Sequence, residues 1–248
     1  MKAFINVPET LNDVTLKQYQ HFMKVSQEIE GDFLNQKTIE IFCGVRLVDV
    51  LAIQRKSLNE IISHLSALFQ SKYPLISRFK IKNQEFGMIP NLDAITQGEY
   101  ADLDTYINDW DNMHKAMAVL FRPIKISQKD KYTIIDYQGT DEFAELMKFM
   151  PLDVVLGAVV FFYRLGIELL KSTQTSLLNQ AIEMEKATTR QRGNSAKDGD
   201  GITAFSPLLK ETLDDSMKYL ESLLENVLPT YPTLRTKKKQ NANTTTNN

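Results

Sequence analysis

The feature that most constrains this chain is a helical pattern that continues without a proline from residue 152 to about residue 192. At 1.5 Å per residue, one helix of this length would span on the order of 60 Å. Its first half is apolar on nearly every side, whereas its second half becomes amphipathic and then polar. We therefore predict a helix that begins inside a core and leaves it as it proceeds.

The most apolar part of this helix, VVLGAVVFFY at residues 154–163, is too short to predict a membrane span. A helix that crosses a bilayer needs about 20 predominantly apolar residues. This run has half that length, and Asp153, Arg164 and Glu168 surround it. A buried core helix is the better interpretation.

Composition and charge narrow the classes of function. Hydrophobic residues make up 43% and charged residues 24% of the 248-residue chain, which is ordinary for a folded protein with a substantial core. A formal net charge of −2 and a pI near 6.0 create no global field that favours nucleic acid or anionic lipid. Cys43 is the single cysteine, so no intramolecular disulfide can form, and a reducing compartment is expected. The N-terminal residues lack the apolar run of a secretory signal.

Helical signals dominate the first 125 residues. Capping-box patterns at Thr15–Gln18, Ser57–Glu60 and Thr96–Glu99 each predict a helix start. Another helix is expected over residues 32–43, where Gly44 supplies a stop. The third capping box opens a region that we predict to stay helical until Pro123, with one apolar stripe. That stripe consists of Leu103, Ile107, Trp110, His114, Met117 and Phe121.

In two stretches, the apolar residues recur at every second position, as they do in a β-strand. Residues 77–89 place Phe79 and Ile81 against Phe86 and Met88 around a polar pair, which predicts a hairpin. Residues 131–137 predict a further strand that could join the hairpin as its third member. The expected fold class is therefore mainly α, a multi-helix domain with a small antiparallel β-sheet.

We divide the chain into four parts. Residues 1–192 form a helical interaction domain with the small sheet, and residues 193–204 form a flexible linker. Residues 205–229 form an amphipathic arm helix, and residues 230–248 form a polar tail, basic and then rich in Asn and Thr. The arm helix carries an apolar stripe that can fold back on its own core or dock in a groove on a neighbouring protein. The stripe residues, our candidates for partner binding, are Leu209, Leu213, Met217, Leu220 and Leu224.

The strongest charge feature lies between residues 93 and 111, which contain six acidic side chains and no Lys or Arg. Such a surface is either a solvated face or a face that attracts a basic partner. A calcium site is disfavoured because the glycine and the terminal glutamate of a calcium loop are missing. The candidate partner-binding acids are Asp102, Asp104, Asp109 and Asp111.

No catalytic, cofactor-binding or metal-binding signature is present in the sequence. The three histidines lack zinc-protease spacing, and no phosphate-binding glycine loop or nucleophile-elbow motif occurs. Residues 197–205 resemble the middle of an EF-hand loop but lack both anchoring carboxylates. We expect His114 to be a hydrogen-bonded core residue, and Arg122 and Arg164 to pair with carboxylates, Glu168 being the candidate for Arg164.

A helix–Gly–helix outline at residues 38–53 raises the question of DNA binding. A reading helix places polar and basic side chains toward base edges and phosphates. Here the second helix would present mainly apolar residues, with Arg46 as its only cation and Asp49 facing phosphate unfavourably. A packed helical corner is the favoured interpretation.

Two stretches resemble proteins of tailed bacteriophages. TIEIFCGVRLVDVLAIQRKSLNEIISHL, residues 38–65, resembles a helix–Gly–short helix segment of tail assembly chaperone families. Residues 86–124 are similar to proteins found among phage structural and morphogenesis genes. The resemblance covers about a third of the chain and implies a non-enzymatic role without cofactors. Tail assembly chaperones hold aggregation-prone helical partners, chiefly the tape measure protein, until the tail tube forms around them.

The sequence therefore leads to a phage morphogenesis protein, tail assembly chaperone-like, that binds helical phage structural proteins of the tape measure or connector type. This role would place it in the host cytoplasm during assembly, with retention in the virion left open. The alternatives are a permanent virion component, such as a connector or internal protein, and a helix-turn-helix regulator. Membrane and nucleic acid are not expected partners, and a homo-oligomer remains open.

Overall fold

The computed structural model of this protein describes residues 5–129, 131–191 and 211–222. Within these residues the chain is mainly helical and contains one four-stranded antiparallel sheet. The predicted fold class is confirmed. The helices are α1 (Leu16–Glu28), α2 (Gly31–Cys43), α3 (Leu47–Leu51), α4 (Arg55–Leu68), α5 (Gln97–Tyr106), α6 (Met113–Leu120), α7 (Asp141–Met147), α8 (Leu152–Gln191) and α9 (211–222).

Local capping chemistry sets several helix ends. At the start of α1, the Gln18 backbone N–H donates to Thr15 Oγ1 at 3.3 Å, and the Thr15 N–H donates to the Gln18 side chain at 2.9 Å. Helix α2 ends as predicted at Gly44, which has a φ of 64° and so satisfies the left-handed C-cap. The predicted start at Ser57 is wrong, because α4 begins at Arg55 with Gln54 as its N-cap.

The sheet has the strand order β1-β2-β3-β4. The predicted hairpin is confirmed as β1 (Arg78–Ile81) and β2 (Gln84–Met88), with Phe79 opposite Phe86. The predicted strand at residues 131–137 is present as β4 (Lys131–Ile134), but its ladder partner is β3 (Phe121–Gln128) and not the hairpin. We did not predict strand β3, which lies between the hairpin and β4 and joins them into one sheet.

Pro123 explains why β3 was missed. We expected this proline to end a helix, whereas it lies inside β3 opposite Phe86, just before a register shift between Ile124 and Ile126. Its carbonyl oxygen accepts a hydrogen bond from the Ile135 N–H at 3.1 Å. A proline is tolerated in a strand beside such an irregularity because the missing N–H is not needed for the regular ladder.

The long helix predicted from Thr96 to Pro123 is wrong in its middle, since α5 and α6 are separate helices. The turn between them is stabilised by Asp109, whose carboxylate accepts hydrogen bonds from the Asp111 N–H at 2.9 Å and from Asn112 Nδ2 at 2.6 Å. Short polar side chains of this kind offer the backbone an alternative to helical hydrogen bonds. The helical spacing of apolar residues therefore continues in the sequence across the turn at which Asp109 and Asn112 interrupt the helix.

The first half of α8 is the centre of the core. Its buried side chains include Leu152, Val154, Val155, Leu156, Ala158 and Val159. Three backbone hydrogen bonds join its start to the start of α1: Leu16 N to Met150 O at 2.9 Å, Lys17 N to Lys148 O at 2.8 Å, and Leu152 N to Val14 O at 2.8 Å. The expected core helix is confirmed, and it is fixed at its first turn.

The second half of α8 leaves this core and is accompanied by α9. Gln174 Nε2 donates to Asp214 Oδ1 at 2.8 Å, and Leu220 Cδ1 lies 3.5 Å from the position that a Cβ would take on Gly166. Residue numbers fall along α8 as they rise along α9, so the two helices are antiparallel. Together they form what we call the two-helix arm.

Gly157 allows an unusually close approach between α8 and the segment that follows α4. A Cβ on this glycine would lie 2.2 Å from the carbonyl oxygen of Pro74. No side chain can occupy that space unless the backbone moves. The packing of residues 73–77 on α8 therefore depends on glycine at this position.

We predict that Gly157→Ala lowers the free energy of unfolding by about 2 kcal/mol, because the added methyl group overpacks a backbone contact. Gly98→Ala is the matched control, since Gly98 also lies in a helix but has no neighbouring atom within 4 Å of its added Cβ. The control should be neutral or stabilising by up to about 1 kcal/mol. Urea denaturation followed by circular dichroism measures both, and equal stability of the two variants would contradict the prediction.

Candidate partner-binding surfaces

The described part of the predicted apolar stripe lies on α9. Leu213, Met217 and Leu220 are half-buried in this helix, whereas Leu209 and Leu224 lie outside the described residues. Leu220 faces Gly166 of α8, and the spacing of three and four residues places the other two on the same side. The stripe therefore packs against its own chain in this structure.

A groove of about 740 Å³ runs beside the two helices of the arm. Leu170 of α8 and Thr212, Ser216, Tyr219 and Leu220 of α9 line it, together with Glu211 and Asp215. Tyr219 in this lining is 63% exposed, and Leu169, the sequence neighbour of Leu170, is 60% exposed. Large apolar side chains that remain in water beside a groove are typical of surfaces that bind another protein.

The arm also extends far from the core. Ile167 is the last buried residue of α8 among those whose side chains are described, and the helix continues to Gln191. At 1.5 Å per residue, this continuation is about 36 Å long. A helix of that length outside the core is not explained by the packing of the domain that it leaves.

The four candidate acids do not form one free acidic surface. Asp102 accepts a hydrogen bond from the Tyr137 hydroxyl, and Asp111 lies 3.3 Å from the Lys24 ammonium. The carboxylate of Asp109 holds the turn before α6, and its hydrogen bond from Asn112 is the main reason that its pKa is lowered. Asp104 is exposed. Three of the four carboxylates therefore already hold partners in this chain, but only Asp111 is paired with a cation.

A buried ion pair between α5 and β3 is the most ordered polar feature near these acids. Arg122 Nη2 lies 2.6 Å from Glu99 Oε1, and the two side chains are only 8% and 5% exposed. The other carboxylate oxygen of Glu99 accepts hydrogen bonds from the N–H and the hydroxyl of Thr96, at 2.7 and 2.8 Å. Burial alone would raise the pKa of Glu99, but the Thr96 hydrogen bonds and the Arg122 charge together hold it below its ordinary value.

This pair confirms the expectation that Arg122 binds a carboxylate. The Arg122 guanidinium also lies 5.6 Å from the centre of the Tyr137 ring. Burial and the hydrogen bond to Asp102 raise the pKa of the Tyr137 hydroxyl, so it remains protonated as a donor. The expected Arg164–Glu168 pair is not found among the ion pairs of the described residues, and both side chains are exposed.

His114 is a core histidine, as predicted. It is 7% exposed, and its Nδ1 lies 3.1 Å from Gln20 Nε2, which also donates to the Trp110 carbonyl oxygen at 2.7 Å. Burial, followed by the nearby Lys148 charge, lowers the pKa of the imidazole. The neutral ring therefore accepts a hydrogen bond from the amide inside the domain.

The helical corner at α2 and α3 offers little to DNA. Arg46 is held by Asp49 through two hydrogen bonds of 2.8 and 3.0 Å. The exposed side chains that α3 presents are Val48 and Leu51, at 63% and 61% exposure. Apolar side chains in these positions cannot form the hydrogen bonds that read base edges.

Two further site classes find no support in the part of the chain that is described. No group of three or more His, Cys, Asp or Glu side chains there is placed to hold a metal ion. Across residues 5–129, 131–191 and 211–222, no helix has both the length and the apolar character needed to cross a membrane. The EF-hand-like stretch at residues 197–205 lies outside these residues.

In comparisons with known proteins, no protein-family model, curated protein or solved structure matches this chain. The surfaces of the two-helix arm and the resemblance carried by residues 38–65 and 86–124 are therefore the features that bear on function.

We predict that Arg122→Met lowers the free energy of unfolding by about 3–5 kcal/mol, because it leaves the Glu99 carboxylate buried without its counter-charge. Lys24→Met is the matched control, since the Lys24–Asp111 pair is more than half exposed on both sides and an exposed pair contributes less than about 1 kcal/mol. Adding Glu99→Gln to Arg122→Met should recover most of the loss, because Gln can still complete the cap with Thr96. Failure of this rescue in urea denaturation would contradict the proposed cause.

We also predict that stability falls as the pH drops below about 6.5, the ordinary pKa of histidine. The lowered pKa means that the unfolded chain binds a proton at His114 before the folded chain does, so acid favours unfolding. Above this pH the imidazole is neutral in both the folded and the unfolded chain, so it contributes no pH dependence to the stability. His114→Gln should flatten this part of the pH–stability curve relative to the exposed His21→Gln control, and parallel curves for the two variants would contradict the assignment.

Proposed function

We propose that this protein is a non-enzymatic bacteriophage morphogenesis protein, tail assembly chaperone-like, that binds helical segments of phage structural proteins. The observation that carries the proposal is the two-helix arm, which leaves the core at Ile167 and exposes Leu169 and Tyr219 beside a groove. An amphipathic helix binds such a groove through apolar side chains spaced three and four residues apart.

The groove offers both apolar and polar contact to an amphipathic helix. Leu170, Tyr219 and Leu220 supply the apolar contact, and Glu211 and Asp215 are the acidic residues of its lining. The chaperone family that the sequence resembles holds aggregation-prone helical partners, chiefly the tape measure protein, and an amphipathic helix presents its apolar face to a groove of this kind.

A permanent virion component, such as a connector or internal protein, would use the same arm in a stable interface. The two roles differ in whether the protein stays in the mature particle. We favour the chaperone-like role because the exposed apolar surface is small and the arm is already packed on itself, which suits a reversible contact. No observation favours a helix-turn-helix regulator, since Arg46 is bound to Asp49 and α3 exposes apolar side chains.

The direct test uses a fluorescent synthetic peptide, an amphipathic helix with Leu at the a and d positions of each heptad. We predict that the full chain binds this peptide and that Leu169→Lys with Tyr219→Lys weakens binding at least about tenfold, because two apolar contacts are lost. Fluorescence anisotropy measures the affinity. Val48→Lys with Leu51→Lys is the matched control, since these side chains are equally exposed but lie on α3.

Two results would contradict the proposal. One is the absence of peptide binding by the full chain, and the other is equal affinity in the arm variant and the α3 control. Mass spectrometry of purified particles then separates the two assembly roles, because a chaperone is absent from mature virions. Binding to double-stranded DNA with a steep salt dependence would instead favour the regulator.

A further inference from the structure

One end of the sheet is an open strand edge with a strongly cationic character. Strand β1 is the terminal strand of the order β1-β2-β3-β4, so only its inner side pairs with another strand. On that inner side, Ser77 O accepts a hydrogen bond from the Met88 N–H at 2.9 Å. Because backbone groups alternate in direction along an antiparallel strand, the N–H and C=O groups of Arg78 and Lys80 point away from the sheet.

These outward backbone groups are open to another strand. Within the part of the chain that the structure describes, neither Arg78 nor Lys80 forms a backbone hydrogen bond to a segment outside the hairpin. At 3.4 Å per residue, the strand offers an edge of about 14 Å. Such an edge can bind an extended segment by strand addition, in which main-chain hydrogen bonds supply affinity and side-chain contacts supply specificity.

The side chains along this edge are cationic on one face and apolar on the other. Arg78 and Lys80 lie on one face of the sheet, and Lys82 follows in the hairpin turn. Phe79 and Ile81 lie on the other face, where they are 8% and 6% exposed. A strand added to β1 would therefore meet cations on one of its faces and continue the core side of the sheet with the other.

None of the three cations is neutralised by a carboxylate of the described residues. No ion pair there involves any of them, although Glu85 lies opposite Lys80 on β2. Arg78 is instead held by uncharged groups: its guanidinium carbon lies 4.4 Å from the centre of the Tyr132 ring, and its Nη1 donates to Ser127 Oγ at 3.2 Å. Its positive charge is therefore fixed at the edge without a counter-charge.

This charge pattern disfavours a second copy of the chain as the strand that pairs with β1. Two antiparallel β1 strands would bring the Arg78 and Lys80 side chains of one copy against the same cations of the other, and like charges opposite each other are destabilising. Cations on an edge strand are one of the ways in which proteins prevent such pairing. An acidic strand has the opposite effect, since its carboxylates would face cations that have no ion pair.

We propose that the β1 edge binds an extended acidic segment of another protein by strand addition. Acidic and apolar side chains alternate in this segment. The acids lie on the face of Arg78 and Lys80, and the apolar side chains lie on the face of Phe79 and Ile81. The β1 edge is separate from the two-helix arm, so this inference is independent of the function proposed for the arm.

The first probe is a short fluorescent peptide in which Val and Glu alternate, mixed with the full chain at low salt. We expect binding in fluorescence anisotropy, and Lys80→Glu with Lys82→Glu should weaken it at least about tenfold, because attractive cross-strand pairs become repulsive. The same variant should gain affinity for a peptide of alternating Val and Lys, which also shows that the variant is folded. Lys56→Glu with Lys171→Glu is the matched control, since it makes the same change of charge at exposed positions of α4 and α8 and should weaken binding much less.

A second probe tests the strand addition itself. N-methyl groups on either the Val or the Glu amides of the peptide remove the donors on one side of its strand or on the other. One of these two peptides should lose affinity at least about tenfold and the other should keep it, because only one side of the added strand bonds to β1. Amide hydrogen exchange at Arg78 and Lys80 should slow when the unmodified peptide binds.

Four results would overturn the proposal. The first is the absence of binding to the Val–Glu peptide, and the second is an equal loss of affinity in the β1 variant and the helix control. The third is equal affinity of the two methylated peptides, since the contact would then not be a strand. The fourth is tighter binding of single-stranded DNA than of the peptide, since the cations would then select phosphate groups.

Discussion

The burial of the first half of α8 is the constraint on which the rest of the structure depends. Each buried Leu or Val there contributes about 1.5–3 kcal/mol relative to exposure, so this helix is a large source of core stability. Its start is joined to α1 by backbone hydrogen bonds, and Gly157 allows the segment after α4 to touch its backbone. The start of α1 and the segment after α4 are therefore both positioned by this helix.

The sheet is attached to this helical core through a buried polar contact. Glu99 caps α5 through Thr96 and pairs with Arg122 on β3, so one carboxylate fixes a helix start and a strand together. The net stabilisation from such a pair is smaller than the stability lost when one partner is removed, because the other charge is then buried without its counter-charge. Its role here is to specify how α5 lies on β3. Its carboxylate, Glu99, belongs to the acidic cluster at residues 93–111, which the sequence predicts to lie on an exposed face.

The two-helix arm results from the length of α8. A helix that ended at Ile167 would complete the core and leave no arm beside it. The continuation of α8 provides a face to α9, where Gln174 donates a hydrogen bond to Asp214. The arm surface therefore exists because α8 is longer than its core requires.

The sequence by itself determined the helices whose ends have a local chemical cause, such as Thr15–Gln18 for α1 and Gly44 for α2, and it located the hairpin and the core half of α8. Only the tertiary structure decided the positions where local signals compete. Pro123 lies in a strand because β2 and β4 pair around it, the apolar stripe breaks where Asp109 holds a turn, and Glu99 is buried because Arg122 lies opposite. Periodicity records which side chains are apolar, but it does not record which distant residue will satisfy a buried charge or pair with a strand. Those partners are set by contacts between residues far apart in the chain.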